Sequence, residues 1–170
     1  MTFRYSLLLL FHLIPLCAGN TYFNAKIENA IINNNNVTEL KEFFDEASRN
    51  NHSILVNPSG NIASGGFNIN VKNGKGRTLL HHICLPCDDY RAANKKILTC
   101  TLSYNADPTI PNAAGFNAVH CATHAAINID SNKFIPFIKA LAQNHCNGKE
   151  CLDAQDRDGF TPLHYCAQKK

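Results

Sequence analysis

Three features of this sequence predict an all-α fold built from repeated helix pairs. Three stretches align without a gap: NGKGRTLLHHIC (73–84), NAAGFNAVHCAT (112–123) and DRDGFTPLHYCA (156–167). Each places a glycine two residues before a side chain able to cap a helix, and a histidine three residues after that cap. Between the copies run segments whose apolar residues recur at helical spacing. Such a helix face is hidden from water only by a neighbouring unit, so the expected architecture is a row of stacked units, a helical solenoid.

The first nineteen residues stand outside that row. MTFRYSLLLLFHLIPLCAG carries one cation, Arg4, an apolar run from Leu7 to Leu16, and small residues at Ala18 and Gly19. This is the pattern of a secretory signal peptide, and the run is shorter than the roughly 20 residues needed to span a bilayer. The expected mature chain is therefore 20–170, exported to a periplasmic or extracellular compartment and without a membrane segment after cleavage. Without Arg4 it has fifteen basic and thirteen acidic residues, a net charge of +2. That balance does not suggest a nucleic-acid surface, and no nucleic-acid partner is expected.

The elements follow in order. Residues 25–47 place Ile27, Ala30 and Ile31 on one helical face and Leu40, Phe43 and Phe44 on a second, with the asparagine run 33–36 as the turn between them. The stretch 48–67 is an irregular insertion, in which ILVNPSGNIA reads as a small hairpin around Pro58–Gly60 or as a loop. Thr78, Asn117 and Thr161 open the three aligned helices, and Pro162 suits a first helical position because its missing amide had no partner there. Second helices are expected over 93–108 and 133–145, with Pro136 confined to the first turn of the latter. Eight residues separate Asn70 from Thr78, Thr109 from Asn117 and Asp153 from Thr161. The extra length between copies therefore falls in CLPCDDYR, HAAINIDSN and CNGKEC.

The stretch TPLHYCA, with its looser relatives NAVHCAT and TLLHHIC, resembles the ankyrin-repeat family, whose signature is T-P-L-H-x-A in a unit of about 33 residues. Cys166 stands where that family has its first alanine. The resemblance implies about three and a half repeats with β-turn fingers: units near 22–49, 68–107, 108–153 and 154–170, the last with only its first helix. It implies structural roles for Thr78, His81, Asn117, His120, Thr161 and His164. It also implies a non-enzymatic module that binds a protein partner through turn tips and the concave helix face. By alignment the contact positions are Arg77, Phe116 and Phe160, directly after the turn glycines, flanked by Lys75, Arg157, Asp158 and His124. Aromatic side chains and arginine are favoured anchors at interfaces.

A second reading comes from clustered histidine and cysteine in HHICLPC (81–87), HCATH (120–124), HC (145–146) and HYC (164–166). Such residues ligate zinc, and CLPC resembles a thiol–disulfide motif, so a metal-binding or thiol-redox protein is the alternative. No second C-x-x-C completes a ligand set, no strand–helix–strand pattern surrounds CLPC, and no phosphate loop or nucleophile elbow is present. The expectation is no enzyme, no cofactor and no metal. Cleavage of the signal removes Cys17 and leaves seven cysteines, an odd number. The disulfide candidates are Cys146 with Cys151, across the turn-forming Asn147-Gly148, and Cys84 with Cys87.

Overall fold

A computed structural model describes residues 22–24, 27, 36–57, 59, 61–84, 95–128, 131–144 and 149–168. The expected signal peptide, most of the first helix of the 25–47 segment, Cys87 and Cys146 lie outside them. The fold is mostly helical. Its elements are β1 (Tyr22–Phe23), α1 (Val37–Arg49), β2 (Leu55–Val56), α2 (Leu79–Cys84), α3 (Lys95–Ser103), α4 (Ala118–Asn128), α5 (Ser131–Asn144), α6 (Lys149–Asp153) and α7 (Pro162–Gln168). Helix α2 lies against α3 and α4, and α4 lies against α5 and α7. Helix α3 in turn touches α1 and α5, and α6 bridges α5 and α7. The helices thus form two rows, α2–α4–α7 and α1–α3–α5. One apolar core runs between them, from Phe23, Ile27 and Phe44 at one end to Leu141 and Cys151 at the other.

Local chemistry sets the elements at each step. At the start of α1 the Asn36 side chain accepts the Glu39 amide at 3.2 Å, satisfying one of the donors that a helix start leaves free. Leu40, Phe44 and Ala47 recur on its buried face. The Phe44 ring meets Tyr104 edge-on at 5.0 Å, and the Tyr104 hydroxyl donates to Asp45, which fastens α1 to α3. Within 48–67 the chain forms a hairpin: Val56 bridges Ile62, the Asn57 amide donates to the Asn61 carbonyl at 2.9 Å, and the Ala63 amide donates to the Leu55 carbonyl at 2.8 Å. The other edge of this hairpin pairs antiparallel with β1, Tyr22 opposite Val56 and Phe23 opposite Leu55.

Helix α5 departs from the sequence expectation. It begins at Ser131, which puts Pro136 at its sixth residue, beyond the first turn. Phe134, Phe137, Ala140 and Leu141 are all buried along one face of this helix. Burying that stripe is worth several kcal/mol, which outweighs the roughly 3 kcal/mol cost of a proline in a helix interior.

Candidate binding surface

The turns before α2, α4 and α7 share one geometry, organised by a residue that the sequence reading passed over. Asn73, Asn112 and Asp156 each stand three residues before a turn glycine. The Asn73 Oδ1 accepts the amides of Lys75 (3.0 Å) and Arg77 (3.1 Å). The Asn112 Oδ1 accepts those of Ala114 (2.8 Å) and Phe116 (3.1 Å), and the Asp156 Oδ1 those of Asp158 (2.9 Å) and Phe160 (3.0 Å). Each of the three also donates its amide to the carbonyl four residues on, at 2.8–2.9 Å. An asparagine or aspartate side chain that closes a loop on its own backbone in this way is a strong turn former. The glycines that complete the loops have φ of 70° (Gly76), 87° (Gly115) and 81° (Gly159), in the left-handed region. An aligned Asn, Asn, Asp at the first position of the three stretches was the signal available in the sequence.

Past each turn comes a histidine lock. The Thr78 amide donates to His81 Nδ1 at 3.2 Å, the Asn117 amide to His120 Nδ1 at 3.3 Å, and the Thr161 amide to His164 Nδ1 at 3.0 Å. A backbone amide only donates, so Nδ1 is the accepting nitrogen and the ring proton sits on Nε2. That proton is passed forward: His81 Nε2 donates to the Phe116 carbonyl at 2.7 Å, and His120 Nε2 donates to the Phe160 carbonyl at 3.1 Å. The locks of His81 and His120 therefore each tie one unit to the turn of the next. The Thr78 and Thr161 hydroxyls lie 2.7 and 2.8 Å from Nδ1 and serve the ring rather than a helix amide. Asn117 does cap an amide, that of His120 at 3.0 Å, and its Nδ2 donates to the Cys151 carbonyl at 2.9 Å, anchoring α6 to the start of α4.

Burial sets the protonation of these rings. It pushes His81 down to about 4, against the raising effect of the Phe116 carbonyl and with the help of Lys72 and Arg77. It pushes the neighbouring His82 down to about 4 as well, aided by Arg77 and Lys75. His120 is lowered by burial, with the Phe160 carbonyl and Asp156 opposing. Burial acts against the Asp156 carboxylate too, but bonds from the Tyr165 hydroxyl and the Phe160 and Asp158 amides hold it below its usual range. Tyr165, as the donor in that pair, rises to about 12.

The residues expected to meet a partner divide into two groups. Lys75, Arg157, Asp158 and His124 are exposed, and Phe160 is 36% exposed. Arg77 and Phe116 are half-buried. The Phe116 ring stacks on His120 at 5.3 Å and 19° and takes the edge of Tyr165 at 5.5 Å, while Phe160 tilts against Tyr165 at 5.8 Å. Phe116 is thus spent largely on the neighbouring unit and is not a free anchor. The reason is geometric: the turn before α4 sits close enough to α7 for Phe116 to pack on Tyr165. Tyr165, which the sequence reading did not single out, joins the two phenylalanines into one aromatic surface.

The cysteines also divide. Cys84, Cys100 and Cys121 are buried free thiols, and Cys166 is an exposed one. The expected Cys84–Cys87 bridge is not formed, because Cys84 points into the core beside Cys121 rather than toward the surface. Burial raises the Cys84 thiol well above its usual range and the Cys121 thiol to about 12. Cys151 is buried and disulfide-bonded. Among the described residues no group of three or more histidine, cysteine or acidic side chains could hold a metal ion. Likewise, no described helix is long and apolar enough to cross a membrane. No family model matches this chain.

Proposed function

We propose that this chain is an exported, ankyrin-type helical-repeat module that binds a protein partner without catalysis, through its turn tips and the adjoining concave face of α2, α4 and α7. One observation carries the reading: the same turn, lock and forward hydrogen bond recur along the row, so the tips stand at a fixed spacing on a rigid support. A rigid row of projecting tips loses little conformational entropy on binding, which favours affinity. Phe160 is the apolar anchor of this surface, with Tyr165 behind it and Lys75, Arg157, Asp158 and His124 as polar contacts. Phe116 supports the anchor from below, and Arg77 supplies charge at its edge. The disulfide at Cys151 fits an oxidising compartment, and Cys146 is the partner that the turn signal Asn147-Gly148 favours.

The test is affinity capture by the mature chain from the compartment into which it is exported, followed by titration of the captured protein against variants. Phe160→Ala should weaken binding by about 2 kcal/mol, or some thirty-fold, if Phe160 is a hot spot. A Phe160→Ala chain that melts like the parent and binds with undiminished affinity refutes the assignment.

A further inference from the structure

The outer stripe of α7 differs from its counterparts. In the three aligned helices Leu80, Val119 and Leu163 correspond, as do Ile83, Ala122 and Cys166, and Cys84, Thr123 and Ala167. In the first two copies these positions are buried, with exposures of 1, 4 and 0% in α2 and 0, 0 and 2% in α4. In α7 all three are open, Leu163 at 74%. They lie at i, i+3 and i+4, so they form one continuous strip on the helix. His164 adds a second sign of an open face. Its Nδ1 takes the Thr161 amide as in the other locks, yet no carbonyl among the described residues receives its Nε2, where His81 and His120 each have one.

We propose that this strip is a self-association surface, on which two copies of the chain meet tail to tail about a twofold axis and bury Leu163, Cys166 and Ala167 of each. A twofold contact requires a patch complementary to itself. This one has an apolar strip, and the exposed tip just before it carries opposite charges on adjacent residues, Arg157 and Asp158, so a rotated copy can set each charge against its opposite. The other end of the row does not offer a matching helix face: α2 is covered there by β1, where the Phe23 ring meets His82 at 5.5 Å. The proposal goes beyond the partner-binding reading; Arg157 and Asp158 serve both, but the apolar residues differ, so Leu163→Asp and Phe160→Ala test the two separately. Three side chains per copy make a small interface, and the expected dissociation constant is on the order of 10 μM.

Sedimentation of the chain from ~1 to ~300 μM, a range that brackets that constant, reads the outcome. The expected result is a monomer–dimer equilibrium that Leu163→Asp shifts toward monomer by more than tenfold without lowering the melting temperature, since Leu163 is exposed in the monomer. Ile135→Asp, at another exposed apolar site, on α5, should leave the dimer intact. A short bis-maleimide should link two chains through Cys166, and Cys166→Ser should abolish the product. The proposal is overturned by a single-chain mass throughout the range, or by growth past the dimer. A dimer that survives Leu163→Asp, or one lost equally in Ile135→Asp, overturns it too.

Discussion

Replacing His120 by alanine tests the lock most directly. The ring is fully buried, accepts the Asn117 amide at 3.3 Å, donates to the Phe160 carbonyl at 3.1 Å, stacks on Phe116 and meets Tyr165 edge-on. Each lost hydrogen bond is worth about 1 kcal/mol net; the Phe160 carbonyl keeps the Asp156 amide, but the buried Asn117 amide loses its ring partner, which costs about 1–3 kcal/mol more. The cavity left by the ring adds to this, so the expected loss is on the order of 3–5 kcal/mol. His164→Ala removes an exposed ring whose bonds are confined to Thr161, and should cost under about 1 kcal/mol. In thermal melts followed by circular dichroism the first variant should fall by on the order of 10 °C and the second by no more than about 4 °C. Equal losses for the two variants, or a loss under about 1 kcal/mol for His120→Ala, would show that the forward bond between units does not hold the row together.

Stability should also depend on pH. The folded state keeps His81 neutral down to about 4, whereas the ordinary histidine value is 6.5, so between those values the unfolded chain binds a proton that the folded chain refuses. The stabilisation is present above about 6.5 and is lost as pH falls toward about 4, by roughly 3 kcal/mol for His81, with His82 acting in the same direction. Urea midpoints measured across that range should drop on acidification, and His81→Gln should flatten the slope. Gly115→Ala should cost ~3 kcal/mol, because a Cβ there would stand 2.6 Å from the Arg157 amide nitrogen as well as at positive φ. Gly159→Ala meets nothing within 4 Å and should cost about 1 kcal/mol of backbone strain, a difference that denaturant titration would resolve. Alkylation of the native chain with peptide mapping should label Cys166 while Cys84, Cys100 and Cys121 react only after unfolding and Cys151 only after reduction.

Much of the row was legible in the sequence because its determinants are local. The glycine, the residue at the cap position and the histidine lie within five residues of one another, and the turn and the Nδ1 side of each lock are made there. What escaped was set by contacts between units. Phe116 reads as an exposed tip residue by alignment, yet Tyr165, nearly fifty residues on, supplies the surface it covers. Cys84 reads as half of a C-x-x-C pair, but its place on the buried face of α2 decides its fate. Pro136 reads as a helix start, and the burial of Phe134 and Phe137 carries the helix through it. Asn73, Asn112 and Asp156 act as locally as the glycines do, and their aligned place at the head of the three stretches is visible in the sequence.

The geometry also weighs against a metal or thiol role for the same residues. Zinc takes histidine through a free ring nitrogen, yet both nitrogens of His81 and His120 are engaged, one by an amide and the other by a carbonyl in the next turn. Ligation at Nε2 would leave that carbonyl with only its turn amide, from Asn112 or Asp156, and cut the tie between units, so the ion would have to offset the cost of opening the row. The buried thiols face the opposite difficulty: a reactive cysteine needs its thiolate near neutral pH, and burial drives Cys84 and Cys121 away from it. Histidine and cysteine cluster here because the repeat needs a compact two-sided hydrogen-bonding ring at one position and a small apolar side chain at its neighbours. At His81 and His120 the Nδ1 lone pair points at a backbone amide and the Nε2 proton at a backbone carbonyl.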